Sequence, residues 1–382
     1  MKRLISLLAL AALSVCLLAG CSQQNSTDAT DISGELNYES SMELTSATGF
    51  SVDYYTDGYK LISIEDEGQF LVVPEGKEAP SDLDDGITVI QQPLQNIYLV
   101  ASATMDMFRA IDGLDAIKLT GTKQSDWYIE EAVQAMEDGR IIYAGKYSMP
   151  DYELILQEGC DLAIQSTMIY HSPDVKEALE GYGIPVLVDQ SSYEEEPLGR
   201  SEWIKLYGAL LNKEDAAEAA FNEQKELFEQ VAAADALQSS PSVAFFYVNS
   251  NGAVNVRRGD DYVAKIIEMA GGTYVFSDLV DEDTNSSSKT IQMEEFYSKA
   301  KDADILIYNS TIEGDISTLD ELTAKSSFLG NFKAVKAGNV WCTTQSMYQD
   351  SMELGDLISD VHAVLENPNI SDDQLKYLYR IK

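Results

Sequence analysis

Histidine is almost missing from this chain: His171 and His362 are the only two in 382 residues. A three-histidine zinc site cannot be built from two, and any serine–histidine–aspartate constellation would have to use one of these positions. Cationic residues are scarce as well. Twenty-six Lys and Arg stand against 64 Asp and Glu, a formal net charge of −38. Such a field repels nucleic-acid phosphates and anionic head groups, which speaks against nucleic acid as a partner. Cysteine is limited to four. What is present is ordinary for a folded protein: 45% hydrophobic and 24% charged residues exclude a disordered or fibrous class for the bulk. The length suits two lobes of roughly 150 residues each better than a single core.

The first twenty residues differ from the rest. Lys2 and Arg3 are followed by an apolar stretch from Leu4 to Leu18, interrupted only by Ser6 and Ser14, and small residues close it at Leu18-Ala19-Gly20-Cys21. A charged start, a short apolar core and a small-residue cleavage site make residues 1–20 a secretory signal. The apolar run is shorter than the roughly 20 residues that a spanning helix needs. Leu-Ala-Gly-Cys also resembles the bacterial lipobox, which implies acylation of Cys21 and a lipid-anchored protein on the extracytoplasmic face of a bacterial cell membrane. Cys16 then leaves with the signal. Cys160 and Cys342 remain, each beside a strand-like run, and are read as small core residues. Residues 21–44 are polar and aperiodic and are expected to form a flexible tether.

From Phe50 to Val73 the pattern alternates with period two around Asp57-Gly58, a hairpin signal. Beyond it, short apolar runs alternate with helical segments. Expected strands are Ile87–Ile90, Ala116–Leu119, Ile141–Tyr143, Asp161–Gln165 and Pro185–Val188. The expected helices between them are Tyr98–Ile111, Tyr128–Met136, Asp151–Gln157 and Pro173–Glu180. This alternation predicts a mostly parallel sheet covered on both faces, an N-terminal lobe over residues 45–196. Residues 197–238 lack any strand signal. Trp203, Leu206, Tyr207, Leu210 and Leu211 share one helical face, and Asn212 is placed to cap a second, long helix running to about Asp235. A stiff helical bridge follows from that pattern. Residues 239–382 repeat the βα alternation as a C-terminal lobe, continued by Met293–Ala300, Ile305–Tyr308 and Val340–Trp341, and the polar segment Asp281–Lys289 is read as a mobile loop at a mouth.

Chemical motifs are weak. Gly139 to Lys146 has five residues between its glycines and Tyr147 where a phosphate loop needs Ser or Thr. Gly181-Tyr182-Gly183 has Val186 at the third glycine position. Asp281 to Asn285 opens like a calcium loop but has Ser286 for the glycine and Gln292 for the closing acid. His362 lies mid-helix beside Val361 and Val364, a structural position. With no catalytic constellation, the chain reads as a binder, with neither a metal site nor a cofactor of its own.

Several segments, in order, carry a resemblance. Tyr147-Ser-Met-Pro-Asp151-Tyr-Glu153-Leu-Ile, the run Cys160 to Ile164, Gly183-Ile-Pro-Val, Pro197 to Trp203, Ala270-Gly-Gly-Thr273 and Lys301-Asp-Ala-Asp-Ile305 resemble the substrate-binding proteins of ABC importers for iron(III)-siderophores, haem and cobalamin. The resemblance covers roughly residues 87–366. It implies an α/β protein of two Rossmann-like lobes joined by a long rigid helix, like a class III periplasmic binding protein. It further implies a ligand cleft between the lobes, a monomer, and delivery of a metal chelate or tetrapyrrole to an ABC permease. Two features depart from the family pattern: the hairpins before the first strand, and Gln91-Gln92-Pro93 where the family often has a serine-rich loop. An extracellular enzyme or adhesin on the same scaffold is the alternative.

Ligands of open α/β sheets bind beyond the carboxyl ends of the strands. That rule nominates Gln91 and Gln92, Tyr147 and Met149, Tyr170 and His171 in Thr167–His171, Arg257 and Arg258 in Asn249–Arg258, the loop Asn309–Thr311, and Trp341 with Tyr348 around Thr343–Tyr348. Aromatic, thioether and amide groups with two arginines suit a large, flat, partly apolar complex. Phenolates or thioethers offer ligands to iron, and Arg offers a partner for an anionic chelate. The resemblance also assigns one exposed glutamate per lobe to permease docking, Glu153 in Pro-Asp-Tyr-Glu and Glu294 in Ile-Gln-Met-Glu.

Overall fold

A computed structural model describes residues 32–280 and 286–382. The signal segment, Cys21, and residues 281–285 of the expected mouth loop lie outside the described residues. The last two residues of that loop begin a strand: Ser288 and Lys289 pair antiparallel with Arg257 and Val256.

The chain is already anchored at Ile32. This side chain is 1% exposed and packs with Tyr55, Tyr59, Leu61, Leu71 and Val73. Residues 32–44, expected in the tether, thus belong to the folded body. They include strand β1 (Tyr38–Ser41), which pairs antiparallel with β2 (Phe50–Tyr55). The period-two pattern of Phe50, Val52 and Tyr54 puts these side chains on one face, the first two buried and Tyr54 half-buried, while Tyr55 is on the opposite face with Ile32. Asp57 and Gly58 then turn the chain with positive φ (64° and 86°), as the hairpin signal requires. Strands β3 (Lys60–Ile64) and β4 (Gly68–Val73) complete the meander, and β5 (Ile87–Gln91) joins parallel to β4. The sheet order is β1-β2-β3-β4-β5. Ile87–Ile90, expected as the first strand of the parallel N-lobe sheet, is instead the edge of this separate sheet.

The first strand of the N-lobe sheet is β6 (Ile97–Leu99), where the pattern predicts the start of a helix. Ile97, Tyr98 and Leu99 are all fully buried between two neighbouring strands. A three-residue strand covered on both faces carries no period, so it merges in sequence with the helix that follows at Thr104–Ala110. The other strands are β7 (Ile117–Thr120), β8 (Ile142–Tyr143), β11 (Leu162–Ser166) and β12 (Val186–Asp189). Their order is β12-β11-β6-β7-β8, all parallel. A small hairpin of β9 (Gly145–Lys146) and β10 (Met149–Pro150) lies beyond β8.

The C-lobe sheet has a parallel centre of β13 (Ser242–Val248), β17 (Ile305–Tyr308) and β18 (Val340–Thr343). Antiparallel flanks are β14 (Val254–Arg257), β16 (Ser288–Ile291) and β19 (Leu378–Arg380), while the short β15 (Thr273–Tyr274) pairs with β13. Cys160 and Cys342 are free thiols in separate lobes, and burial pushes the Cys160 thiol up to about 12. The His362 imidazole lies against the Ala270 carbonyl at 2.9 Å within the helix Leu354–Glu366.

Between the lobes run helices Pro197–Glu202, Ile204–Leu211 and Glu214–Ala233. The last, at 20 residues, spans about 30 Å. Asn212 does not start it. It closes the preceding helix in the left-handed conformation (φ 55°, ψ 42°), where its short polar side chain is tolerated. That side chain accepts from the Lys60 ammonium at 2.7 Å and donates to Gln92 at 3.1 Å.

Two carboxylates fasten the N-terminal sheet to this bridge. Glu202, fully buried, accepts the backbone N–H groups of Thr45 (2.9 Å), Ser46 (2.7 Å) and Ala47 (2.8 Å) and pairs with Lys205 at 3.1 Å. Glu194 accepts Thr48 N–H at 2.9 Å, Gly49 N–H at 2.8 Å and the Trp203 indole N–H at 2.9 Å. Burial alone would raise the Glu202 pKa. The amides of Ala47, Thr45 and Ser46, with Lys205, outweigh it and hold the carboxyl below its ordinary value.

A polar seam joins the lobes directly. The Asp106 carboxylate of the N-lobe, 1% exposed, accepts Met352 N–H at 2.7 Å, and Ser351 donates to the Ala103 carbonyl at 2.7 Å. Arg109 pairs with Asp106 and reaches Glu353 at 3.4 Å. Tyr128 N–H donates to Gln349, whose amide donates back to the Asp126 carbonyl at 2.8 Å. Asp350 lies in this seam under the Tyr377 hydroxyl at 3.1 Å. Burial, reinforced by repulsion from Asp106 and Glu353 and partly offset by Ser346, pushes its carboxyl up to about 6.

The two carboxyl environments give opposite pH dependences. Glu202→Gln should lower stability at pH 7 by about 3 kcal/mol in urea unfolding, because it leaves buried donors facing an amide. Its folded carboxyl titrates below the unfolded one, so the wild-type advantage is complete above the ordinary glutamate range. It is lost as pH falls through the lowered value. Asp350 behaves in reverse: the folded state holds a proton that the unfolded chain has released, so stability rises as pH falls through about 6. Asp350→Asn should stabilise the protein at pH 7 by about 1–2 kcal/mol, less than the full shift implies because the side chain is partly exposed. Thermal unfolding from pH 7 to pH 4 should show that gain vanish at the acid end.

Candidate functional site

Strand order locates the crevice. In the N-lobe the chain departs from β6 toward β7 and β8 on one side and later returns to β11 and β12 on the other. The switch point lies between β6 and β11, and the loops after them, Val100–Ala103 and Thr167–His171, diverge there. In the C-lobe the corresponding change falls between β13 and β17, at Asn249–Ala253 and at the turn begun by Asn309.

Three nominated residues do not belong to this crevice. Gln91 ends β5 in the N-terminal sheet, its amide nitrogen on the carbonyls of Val73, Pro74 and Gln92. Gln92 is buried and donates to the Leu210 carbonyl at 2.7 Å, a strut between that sheet and the bridge. Both nominations followed from reading Ile87–Ile90 as the first N-lobe strand. Trp341 is fully buried within β18 in register with Ile307, and the Arg380 guanidinium covers its ring at 4.3 Å. It is a core residue because the strand runs on to Thr343, two residues past the expected end.

Tyr147 and Met149 sit on the β9–β10 hairpin, Met149 being 70% exposed. Gly145 makes this turn possible: its φ is +87°, and a Cβ there would stand 2.4 Å from the Met149 carbonyl oxygen. The Tyr98 hydroxyl donates to the Gly145 carbonyl at 2.7 Å and ties the hairpin to β6. Tyr170 and His171 are exposed at the switch-point loop, close to Gln190 after β12.

In the C-lobe the structure brings Arg257 and Tyr348 together. The guanidinium hydrogen-bonds the Tyr348 hydroxyl, stacks 4.8 Å from its ring centroid, donates to Ser287 at 2.7 Å and faces Asp261 at 3.6 Å. Burial would lower the Arg257 pKa, but Asp261 and then Tyr348 more than offset it, so the guanidinium stays charged. The Asn309 amide also donates to the Tyr348 hydroxyl at 2.9 Å. With two donors on its oxygen, that phenol is left with its own proton to give. Arg258, the next residue in the chain, is buried, and its backbone N–H donates to the Ser287 carbonyl at 3.1 Å. Arg200, from the bridge, covers the Tyr262 ring at 4.1 Å and pins the cluster's rear to the first bridging helix.

The site also contains residues that the sequence reading passed over. The Val100–Ala103 loop was hidden by the missed strand, and the signal for it was the polar Ser102 and Thr104 directly after Ile97-Tyr98-Leu99. Asn309, which opens the nominated loop Asn309–Thr311, and Asp261, which faces Arg257, were not passed over but have a second role as helix N-caps, accepting Thr311 N–H at 3.1 Å and Val263 N–H at 3.0 Å. Glu67 and Gln190 reach Tyr170 from other elements, and no sequence pattern signals such a contact. Glu153 and Glu294 both fall in the first turn of a short helix, exposed, as their positions imply. Among the described residues no group of three or more His, Cys, Asp or Glu is placed to hold a metal ion, and no helix is long and apolar enough to cross a membrane.

An uncharacterized lipoprotein of Methanocaldococcus jannaschii is 28% identical over 96% of this chain and 93% of the relative. Among solved structures, a periplasmic haem-binding protein of Vibrio cholerae superposes with a TM-score of 0.56 at 15% identity, over 70% of this chain and 99% of that one. A Saccharomonospora viridis protein described as an ABC-type Fe3+-hydroxamate transport system gives 0.54 at 18% identity, over 71% and 93%. At these identities the structures establish the fold. The sequence model described as periplasmic binding protein matches residues 99–346, from the end of β6 through the turn before Tyr348, and the chain belongs to that family.

Proposed function

We propose that this protein is the substrate-binding lipoprotein of an ABC importer, held by an acylated Cys21 and passing a metal chelate or tetrapyrrole to its permease. The observation that carries the reading is the pairing of unlike surfaces at the two switch points. The N-lobe offers the exposed side chains of Tyr170 and Met149 and the half-buried ring of Tyr147. The C-lobe offers a charged, preorganised polar group, Arg257 with Tyr348 and Asn309. A broad flat face on one side and a fixed donor on the other fit a large, partly apolar chelate that carries acceptor oxygens. Iron(III)-siderophores, haem and cobalamin all have that chemistry. The family supports a binding role, and the names of the structural neighbours support an iron chelate among the candidates.

Glu153 and Glu294 support docking by position: both are exposed carboxylates at helix starts, one on each lobe. Charges at the rim of an interface govern encounter more than ligand affinity.

Calorimetry of the mature protein with a ferric trihydroxamate, haemin and cyanocobalamin should find one that binds below micromolar. Replacing Tyr170 and Tyr348 together by Ala should weaken that ligand by about 3 kcal/mol or more if the cleft is desolvated. Unchanged affinity in the double variant would place the site elsewhere, and binding of none of the three would reject the ligand class. Reversing Glu153 and Glu294 to Lys should abolish ligand-dependent uptake while the free protein still binds its ligand. Full uptake by the reversed protein would leave both as ordinary helix-start acids.

A further inference from the structure

The β3–β4 hairpin, which precedes the family-matched region, places one side chain against the crevice. Glu67 lies in its turn with a side chain only 5% exposed. One carboxylate oxygen accepts the Tyr170 phenol at 2.6 Å, and the other pairs with the Lys176 ammonium at 2.6 Å. The Gln190 amide donates to the same phenol oxygen at 3.0 Å. The Tyr170 hydroxyl thus gives its only proton to one protein group and takes one from another, both from elements other than its own. The residue remains 42% exposed and lines a cavity of about 430 Å³ with Tyr193, Thr48 and Gly49.

We propose that Glu67 is a positioning residue: it fixes Tyr170 as a protonated aromatic wall of the ligand cleft. Tyr170 then contacts ligand through the face of its ring and not as a metal-ligating phenolate. Burial raises the phenol pKa and the Glu67 hydrogen bond raises it further, in keeping with a proton that stays in place. A ring held from two sides loses little side-chain freedom on binding, which favours a ligand with a flat apolar or cationic face. The N-terminal sheet acquires a role by this means, as the support of one cleft wall. The inference rests on the proposed binding function for its ligand, but its geometry can be tested without one.

The test has two arms. In protein labelled with 3-fluorotyrosine, the Tyr170 fluorine resonance is identified by its loss in Tyr170→Phe. Glu67→Gln should shift and sharpen that resonance more than any other, and Lys176→Met, which removes only the second partner of Glu67, should leave it within a line width. In the binding arm, whichever of the ferric trihydroxamate, haemin or cyanocobalamin binds wild type should bind Glu67→Gln and Tyr170→Phe each about tenfold more weakly. The double variant should be no weaker than either single one. Phe keeps the ring and leaves the Glu67–Lys176 pair intact, so the tyrosine variant answers even if the glutamate variant does not fold. A Tyr170 resonance unmoved by Glu67→Gln, wild-type affinity in Tyr170→Phe, or fully multiplicative losses in the double variant would each overturn the proposal. Failure of wild type to bind any probe would reject the ligand class and leave the resonance arm to decide this one.

Discussion

The capture of five consecutive backbone amides, Thr45 to Gly49, by the buried carboxylates of Glu202 and Glu194 holds this molecule together. Strand-to-strand pairing does not connect the N-terminal sheet to either lobe, so these contacts, the Gln92 and Lys60 struts and one apolar core that Phe50, Val52, Ile62 and Phe70 share with Trp203, Leu206 and Tyr207 are what hold it to the bridge. A carboxylate that accepts several N–H groups is stabilised in its charged form, and it satisfies donors that a buried loop would otherwise leave unpaired. Both acids stand at the entrance of the helical bridge, Glu202 in its first helix and Glu194 just before it. The sheet is therefore fixed to the same element that fixes the lobes to one another. The seam through Asp106, Arg109 and Met352 adds direct contact between lobes. Glu67 and Tyr170 sit at the far end of this chain of supports.

How much of this was legible depended on whether a pattern had a period. The Phe50–Val73 meander was visible because its first strand alternates buried with exposed residues and Asp57-Gly58 marks the turn, although both faces of its later strands are buried. Met293–Ala300 and Ile305–Tyr308 matched the structure residue for residue, since each is bounded by strong polar signals. The β6 strand was not legible, because three residues buried on all sides show neither alternation nor a helical stripe. That single omission displaced the first N-lobe strand to Ile87 and carried Gln91 and Gln92 into the site with it. Asn212 was misplaced for a related reason. An asparagine between two helices is chemically suited to end the first or start the second, and only the backbone angle distinguishes them.

The site was legible by lobe in unequal measure. Arg257 and Tyr348, ninety-one residues apart, were both nominated by the rule about carboxyl ends of strands, because each follows or ends a recognisable strand, and the structure brings them into contact. The partners that define their chemistry, Asp261 and Asn309, serve as helix caps at the same time, so one residue type satisfies a local and a tertiary demand. In the N-lobe the supporting groups come from distant parts of the chain, Glu67 from another sheet and Gln190 from another loop. Contacts of that kind leave no mark in local sequence. The two loop clusters also differ in physical kind: the N-lobe one presents a ring held in place, the C-lobe one a charge held in place.

The burial of Ile32 bears on geometry at the membrane. If Cys21 carries the lipid, eleven peptide steps separate it from a side chain locked in the N-terminal sheet, at most about 38 Å of fully extended chain. The upper limit for the full stretch to residue 44 would have been about twice that. A leash no longer than this would keep the folded body within a layer of that depth at the membrane surface, so its encounters with any membrane-embedded partner would take place in that layer. Because the sheet that takes up the leash is clamped to the bridge, rotation about the anchor would carry sheet, bridge and both lobes as one rigid lever.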